Sequence, residues 1–266
     1  MDAAEGRARL AALGLAARDV DALLEHFVDC ERRGQTSHGL SRIAWLETQR
    51  FDAEARPRRL ESSATRDVWD GAGALGYLTL DTICRDLLEH PPADARLVVA
   101  RRAFPTGALG YWVRLLADGG LVALLTATSP RRLPPPEGGE PLTGTNPLAI
   151  AVPSSEGDPV VVDVSMGAVT HGDVLAGTAR PEDLVPFGGA SAHKAFALAV
   201  GLQLVVDALA GEEHGAVLFV ARPEHDPVPA FRALAAGVRL PGDGVQSPRQ
   251  TTRQREEDTW TSRGGS

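Results

Sequence analysis

The sequence predicts an α/β fold, and three observations support this class. Segments whose apolar residues recur at helical spacing alternate with short runs rich in valine, leucine and isoleucine. Glycine- and proline-rich stretches separate these segments, as turns and loops do. The 266 residues can also bury a substantial core, in one large domain or two modest ones.

The first predicted elements are helical. Apolar residues spaced for one helix face predict an amphipathic helix over residues 18–31, which Gly34 ends. A second helix is predicted to start near Ser41, so that Arg42 lies in its first turn. Residues 52–66 are polar and rich in arginine, and we predict that they form a link.

Helices and strands alternate in the middle of the chain. The last two predicted strands of this part are apolar enough to be buried. Residues 130–139 contain three consecutive prolines and are predicted to be an extended loop. The predicted order is a strand ending at Asp70, a helix to Glu89, a strand over 96–101, a helix over 107–118, and strands over 121–126, 148–152 and 160–164.

The C-terminal part is predicted to hold one long helix and a tail. Residues 195–211 are the most hydrophobic segment of the chain. Two polar residues interrupt this segment and it is short for a bilayer span, so we predict a buried helix and no membrane partner. Residues 243–266 lose the apolar periodicity and are predicted to be a disordered tail.

The composition limits the partners and the compartment. The formal charge of −8 and the pI near 5.4 argue against a nucleic-acid surface, which needs clustered lysine and arginine, and favour a small polar ligand. Cys30 and Cys84 are too few for a disulfide framework and lack the spacing of a metal site. Residues 1–5 are acidic and show no secretory signal. We therefore predict a cytoplasmic protein without a bound metal.

The stretch from Ser37 to Arg42 carries the first chemical signal. It places His38 and Arg42 four positions apart, directly after the first predicted helix. A histidine can exchange a proton near neutral pH, and an arginine can hold a carboxylate by two hydrogen bonds. Chemistry on a small acid is one interpretation. In the structural alternative, His38 caps the preceding helix and Arg42 is an ordinary solvated residue.

A glycine-rich turn gives a second signal. Gly71, Gly73 and Gly76 match the G-x-G-x-x-G pattern of Rossmann dinucleotide sites, between a possible strand and a helix. The preceding strand is polar, however, whereas a central parallel strand is normally apolar. The following strand ends in two arginines, which would fit only an NADP enzyme. We therefore favour a turn that lets a helix pack close to a strand.

Several blocks, taken in order, resemble the type-2 malate/L-lactate dehydrogenase family. Their order and spacing matter more than any single short match. The blocks are His26–Asp29 with Arg33–Arg42, Asp70–Gly76, Gly107–Trp112, Gly138–Pro141 with Gly144–Pro153, Val162–Asp163 with Gly172, Pro186–Gly189 with His193–Lys194, and Leu240–Gly242.

This resemblance implies a fold and a reaction. The fold expected is that of the family, with a non-Rossmann cofactor domain and an α-helical N-terminal segment. Residues 1–66 would form the helical part of a substrate and dimer domain, and residues 67–242 the NAD(P)-binding core with the rest of the substrate domain. The protein would be a homodimer that uses NADH or NADPH to reduce a 2-keto acid or a cyclic imine carboxylate, or to oxidise a 2-hydroxy acid.

The resemblance also assigns roles to individual residues. It makes His38 the proton donor and Arg42 the clamp for the substrate carboxylate, and Ser37 could hold the imidazole or the substrate. Asp163 matches a position near the cofactor, although a strand-end cap is the structural alternative. The other implied cofactor residues are Gly144, Thr145, Asn146, Pro147, His193 and Lys194, the last being the only lysine in the chain.

The chain departs from the family pattern at three places. Pro105 replaces a histidine that family members usually carry, and Ala127 stands where asparagine is common. The chain also lacks a segment between Gly172 and Pro186 that family members use to cover the site. Proton transfer would then depend largely on His38. These losses leave either a specialised reductase or a non-catalytic homologue that acts as a dimeric scaffold or ligand sensor. A separate alternative is a Rossmann NADP enzyme that uses the glycine-rich turn.

Overall fold

A mixed β-sheet forms the centre of the protein in the computed structural model, which describes residues 1–243. Within that range the sheet has seven strands, in the order β1-β2-β3-β7-β4-β5-β6. Strands β2 and β3 are parallel, and the other neighbouring pairs are antiparallel. The strands are β1 (Arg58–Ser62), β2 (Arg66–Asp70), β3 (Ala95–Arg101), β4 (Val122–Ala127), β5 (Leu148–Val152), β6 (Val160–Val164) and β7 (Ala216–Ala221).

Helices cover both faces of this sheet. Helix α5 packs on β4, β5 and β6, and it joins α1, α2 and α4 in one helical layer, while α7 lies against β3, β4 and β7. The helices are α1 (Ala3–Ala12), α2 (Ala17–Arg32), α3 (Arg42–Leu46), α4 (Gly76–Glu89), α5 (Leu109–Asp118), α6 (His171–Leu175), α7 (Ala192–Ala210) and α8 (Val228–Leu234).

A fully buried histidine fixes α2 against the start of α5. The His26 ring lies among the rings of Phe27, Tyr77, Tyr111 and Trp112, with centroids 4.8–5.6 Å away. Its Nε2 atom accepts a hydrogen bond of 3.2 Å from the backbone N–H of Ala108. Burial lowers the pKa of His26 to about 3, so the ring is a neutral acceptor. This contact holds α2 and the segment before α5 together.

Most predicted elements are confirmed. The helix predicted over 18–31 is α2, and the helix near Ser41 is α3, with Arg42 in its first turn. The strands predicted over 148–152 and 160–164 match β5 and β6. Their predicted burial is wrong in part, because these antiparallel strands bury mainly one face and β6 lies at the sheet edge.

The predicted link over 52–66 contains a strand that the sequence pattern did not show. Strand β1 is exposed along its whole length and pairs only with β2. An exposed edge strand needs no apolar alternation, so its sequence resembles a linker. The predicted boundary between residues 66 and 67 lies within this antiparallel pair, and the two-domain division stays a prediction. Apart from Asp243, the predicted tail lies outside the described residues.

The long apolar helix α7 is less buried than predicted. It contacts the sheet through a narrow stripe that includes Ala195, Ala199 and Val206. Leu198, Leu204 and other large apolar side chains of α7 are exposed. Within the described range, Gly189–Ala210 is long and apolar enough to cross a membrane by length and composition, and 17% of its most apolar stretch is buried. The prediction of a buried helix is therefore wrong for its outer face.

Candidate active site

A cavity of about 260 Å³ lies beside the segment between α2 and α3. Its walls come mainly from five stretches that are distant in the sequence: residues 35–45, 104–109, 127–132, 145–147 and 163–172. The fold thus gathers loops from the helical layer and from the ends of the central strands. Such a concave site with several converging polar groups is the expected form of a small-molecule site.

The end of α2 holds His38 in the wall of this cavity. The Glu31 carboxylate accepts a hydrogen bond of 2.9 Å from the backbone N–H of Leu40, which fixes the turn over residues 36–38. The Nδ1 atom of His38 lies 3.3 Å from the hydroxyl oxygen of Ser37. No hydrogen bond from His38 to a carbonyl of α2 is found among the described residues, so the helix-cap interpretation has no support. Ser37 is positioned to orient the imidazole.

Two effects keep the imidazole of His38 neutral. Burial lowers its pKa, and the positive charge of Arg42 lowers it further, to about 4. The carboxylate of Asp173 opposes this shift without cancelling it. At neutral pH the ring therefore carries one hydrogen-bond donor and one acceptor. It can take a proton directly, and it can give one once its pKa has been raised.

The Arg42 side chain forms no ion pair with any residue in the described range 1–243. Its guanidinium carbon lies 4.0 Å from the centre of the Trp45 ring, which fixes the plane of the side chain. The Nε and Nη1 atoms are buried, and neither has a hydrogen-bond partner within residues 1–243. The hydroxyl of Tyr77, which also lines the cavity, is buried and unpartnered as well. Unpaired buried donors are costly, so this group is prepared for a ligand that supplies acceptors.

Two further basic residues line the cavity, and the sequence analysis missed both. Arg132 comes from the proline-rich loop after β4, and His171 from the first position of α6. Burial, with the charges of Arg132 and Arg42, lowers the pKa of His171 to about 4. Thr170 and Asp173 form a capping box at the start of α6, and this pattern could have revealed the helix.

The four residues of the predicted cofactor loop divide into two pairs. Thr145 and Pro147 line the cavity, whereas Gly144 and Asn146 do not. The side-chain amide of Asn146 donates hydrogen bonds of 3.0 Å to the carbonyl of Ala199 and to the side chain of Gln203. Asn146 is fully buried and ties the loop to α7, which is a structural role.

Asp163 lies between the first cavity and a second one. One of its carboxylate oxygens accepts a hydrogen bond of 2.8 Å from the backbone N–H of Gly110 in the first turn of α5. Burial raises the pKa of this carboxyl group. The second cavity, of about 290 Å³, shares Gln35 and Asp163 with the first and also contains Arg33 and Arg114. Asp163 is thus a cap on α5 and a wall of both cavities.

His193 and Lys194 lie apart from both cavities. They are exposed in the first turn of α7 and line neither cavity. Their cofactor role stays a prediction. Among the described residues, no group of three or more histidine, cysteine, aspartate or glutamate side chains could hold a metal ion.

The glycine-rich turn packs backbone against backbone. The turn lies between the parallel strands β2 and β3, before α4, but a Cβ atom on Gly76 would be 2.6 Å from the backbone of Ala103. The Asp70 carboxylate accepts the N–H of Ala72 and pairs with Arg102. The Asp70 carboxylate therefore occupies the backbone N–H of Ala72, a donor that a bound phosphate would need. The structural interpretation of this turn is supported, and the Rossmann alternative is not.

Two of the departures from the family pattern, Pro105 and Ala127, lie at the cavity. Both replacements therefore change its wall. His171 brings a second imidazole to the same cavity, and the prediction that proton transfer depends largely on His38 stays a prediction. Helix α6 begins at His171, and its first two residues line the cavity.

A family model for malate/L-lactate dehydrogenase matches residues 4–184, which is more than half of the chain. The chain belongs to the malate/L-lactate dehydrogenase family. The resemblance predicted from the sequence is confirmed, and so is the predicted α/β fold of this family.

Similar proteins in this family carry several different substrate names. A Delta(1)-pyrroline-2-carboxylate/Delta(1)-piperideine-2-carboxylate reductase from Pseudomonas putida is 31% identical over 71% of this chain and 63% of its own length. A (2R)-3-sulfolactate dehydrogenase (NADP(+)) from Chromohalobacter salexigens is 32% identical over 66% of this chain and 55% of its own length. The matches thus span roughly half to two thirds of these relatives. All are named reductases or dehydrogenases, which does not favour a non-catalytic scaffold.

Solved structures of the malate/L-lactate dehydrogenase family share this fold. The Delta1-piperideine-2-carboxylate reductase from Pseudomonas syringae pv. tomato superposes with a TM-score of 0.75 at 22% identity, over 94% of this chain and 96% of that one. The malate dehydrogenase from Entamoeba histolytica gives a TM-score of 0.74 at 18% identity, over 95% and 88% of the two chains. At these identities the likeness shows the fold alone.

Proposed function

We propose that this family member is an NAD(P)H-dependent oxidoreductase that reduces a 2-oxo acid or a cyclic imine carboxylate, or oxidises the corresponding 2-hydroxy acid. One observation carries the proposal: His38 and Arg42 line the same cavity, and the buried Nε and Nη1 atoms of Arg42 have no hydrogen-bond partner among the described residues. The first can exchange a proton, and the second can bind a carboxylate. In such a reaction the cofactor supplies the hydride, and the protein has to exchange the proton and hold the carboxylate.

Arg42 binds and orients the acid in this proposal. One edge of its guanidinium can donate two parallel hydrogen bonds to the two carboxylate oxygens, and the unpartnered Nε and Nη1 atoms lie on different edges, so either edge has a donor available, while Trp45 keeps the guanidinium plane fixed. Fixing the carboxylate orients the adjacent carbonyl or imine group. The reacting group must then face His38 for the proton transfer.

His38 then supplies the proton in the direction of reduction. In the free protein its pKa is about 4, so the ring is neutral at physiological pH. A carboxylate on Arg42 cancels one of the two causes of that low value, because it neutralises the adjacent charge. Binding thus favours protonation of His38 when the acid is in place. In the direction of oxidation, the neutral ring accepts the hydroxyl proton.

The residues present fit a nicotinamide cofactor. When bound, the reduced nicotinamide supplies a hydride to the substrate carbon. Thr145 and Pro147 offer a compact wall for a flat ring, and the adjoining second cavity carries the cations of Arg114 and Arg239 for phosphate groups, while its Arg33 is paired with Asp29. Both NADH and NADPH are compatible with this arrangement. Gly144, Asn146 and Asp163 are proposed to support the pocket.

His193 and Lys194 remain proposed contacts of the cofactor on the resemblance alone. We also propose a cytoplasmic homodimer with the division at residues 66 and 67. The exposed apolar side chains of α7 support the dimer, because an apolar surface of this kind is normally covered and a second copy is the commonest cover. Light scattering should give twice the mass of one chain. A monomeric mass would contradict the dimer.

A turnover assay tests the proposed reaction. The purified protein is mixed with NADH or NADPH and with a panel of 2-oxo acids and cyclic imine carboxylates, and oxidation of the cofactor is followed. We expect turnover with at least one acid, and its loss in His38→Asn. His225→Asn, which changes an exposed histidine, is the matched control. Absence of both cofactor binding and turnover would reject the proposal.

A further inference from the structure

The first turn of α6 lies against the residue that precedes His38. A Cβ atom on Gly172 would be 2.6 Å from the backbone oxygen of Ser37, so the two backbones are in direct contact. The next residue of α6, Asp173, is not one of the residues that line the cavity. Asp173 therefore acts on the site only through another residue, and Ser37 is the nearest candidate.

The two oxygens of the Asp173 carboxylate have different partners. The backbone N–H and the hydroxyl of Thr170 both donate hydrogen bonds to Oδ2, of 2.7 and 2.8 Å. Oδ1 takes neither of these bonds and is free for another donor. Burial would raise the pKa of Asp173, but hydrogen bonds from Thr170 and from the Ser37 hydroxyl, with the charge of His38, lower it below its usual range. At neutral pH the carboxylate is ionised and accepts from Ser37.

The Ser37 hydroxyl links this carboxylate to the imidazole of His38. A hydroxyl that donates its hydrogen to Asp173 has only oxygen lone pairs to offer to a second group. The Ser37 oxygen lies 3.3 Å from Nδ1 of His38. It can therefore accept a hydrogen bond from Nδ1 when that nitrogen carries the proton of the neutral ring. An ionised Asp173 thus favours the tautomer with the proton on Nδ1 and a free lone pair on Nε2.

The other charged groups around His38 do not duplicate the effect of Asp173. Burial and the charge of Arg42 lower the pKa of His38, and the Asp173 carboxylate opposes them. Two other carboxylates near the turn, Glu31 and Asp163, each accept a backbone N–H. Among the described residues, the remaining titratable groups on α2 and in the cavity bring no negative charge at neutral pH: His26, Tyr77, Arg132 and His171.

We propose that Asp173 is a positioning residue for His38, and that it acts through the Ser37 hydroxyl to hold the imidazole with its proton on Nδ1. This inference rests on the proposed function, because it concerns the ring that exchanges the proton. In reduction, the protonated ring gives its Nε2 proton to the substrate oxygen or nitrogen and keeps the proton on Nδ1. Asp173 stays ionised throughout, and no proton passes through Ser37. The negative charge also stabilises the protonated ring before the transfer.

The position of the ring proton can be measured by long-range proton–nitrogen NMR at neutral pH, without substrate or cofactor. In Asp173→Asn, the amide oxygen has to replace Oδ2 to keep the two hydrogen bonds from Thr170. The amide NH2 group then takes the place of Oδ1, so the Ser37 hydroxyl accepts from it and donates to Nδ1. We expect the His38 proton on Nδ1 in the wild-type protein and on Nε2 in Asp173→Asn.

Two further variants make this test specific. Asp183→Asn is the matched control, because Asp183 also holds the third position of a capping box but does not line the cavity. It should leave the His38 proton on Nδ1. Ser37→Ala removes the link and should abolish the preference for Nδ1, even if Asp173→Asn fails to fold. A proton that stays on Nδ1 in both Asp173→Asn and Ser37→Ala, or that lies on Nε2 in the wild-type protein, would overturn the inference.

Kinetics separate this inference from the proposed function. Asp173→Asn should lower kcat for reduction roughly ten-fold or more and leave the affinity for oxamate, an unreactive 2-oxo acid analogue, unchanged, because Arg42 still holds the carboxylate. An equal loss of oxamate binding would make Asp173 part of the binding site and contradict the positioning role. A ring proton that moves as expected, in a protein without turnover with any nicotinamide cofactor, would refute the reaction and leave the role of Asp173 in place.

Discussion

The buried cation of Arg42 leads to a prediction about both binding and stability. In Arg42→Gln the protein should lose affinity for the substrate carboxylate while its fold stays as stable as before. Two buried guanidinium nitrogens have no hydrogen-bond partner among the described residues, and the Trp45 ring packs against this side chain. The exposed Arg32, at the end of α2, provides the matched control in Arg32→Gln.

The magnitudes follow from these contacts. A hydrogen bond to a charged group contributes about 1.5–3 kcal/mol, so losing a two-point contact costs roughly 3 kcal/mol or more, or about 150-fold in affinity. Removing an unsatisfied buried donor relieves about 1–3 kcal/mol, while the lost contact with Trp45 costs about 0.5–2 kcal/mol. The free energy of unfolding should therefore stay constant or rise slightly.

Two measurements check this pair of effects. Calorimetry with oxamate, an unreactive analogue of a 2-oxo acid, gives the affinity, and thermal unfolding in the absence of ligand gives the stability. Arg32→Gln should match the wild-type protein in both. If Arg42→Gln binds oxamate normally, the carboxylate does not lie on Arg42. If the variant unfolds several degrees earlier, the guanidinium stabilises the free protein, and the idea of a prepared anion site is wrong.

Three further predictions concern the pH profile, the cofactor and the packing of the glycine turn. Because the pKa of His38 is about 4, the fraction of protonated His38 decreases about tenfold per pH unit above that value. We therefore expect kcat/KM for reduction to fall as pH rises. A pH-independent kcat/KM would contradict this role of His38. An NMR titration of His38 should show a higher pKa in Arg42→Gln, and an unchanged value would refute the coupling. Arg114→Gln should weaken cofactor binding roughly ten-fold or more without changing oxamate affinity, and equal loss of both would place Arg114 elsewhere. Gly76→Ala should lower the free energy of unfolding by about 1–3 kcal/mol, because its Cβ atom would meet the backbone of Ala103. Gly201→Ala, which has open space around it in α7, should raise the free energy of unfolding by up to about 1 kcal/mol. Denaturant unfolding measures both values, and equal effects of the two substitutions would contradict the packing argument.

The sequence predicted three helices of the helical layer, α2, α4 and α5, and several strands well, because their apolar spacing depends on one buried face, whereas α1 was not predicted. Helix α2 and strands β5 and β6 are examples, with bounds at or near those predicted. Strand β1 was missed because an exposed edge strand has no apolar pattern. The outer face of α7 was misjudged because hydrophobicity alone does not say whether a partner covers a helix.

The candidate site was predictable where neighbouring residues act together. His38 and Arg42 lie one turn apart, so their shared cavity could be expected from a short stretch. Arg132 and His171 could not be found in this way, because tertiary packing brings their loops to the cavity. For Asn146, the family block implied a cofactor role and could not show that its side chain ties a loop to α7.

The most direct measurement follows one hydrogen atom. NADH and NADPH labelled with deuterium at the transferable position of the nicotinamide are incubated with the protein and the acids of the turnover panel, and the products are examined by mass spectrometry. We expect one deuterium at carbon 2 of a 2-hydroxy or cyclic amino acid, and none in His38→Asn. A wild-type protein that binds the acid and the cofactor but yields no labelled product would contradict the proposed hydride transfer.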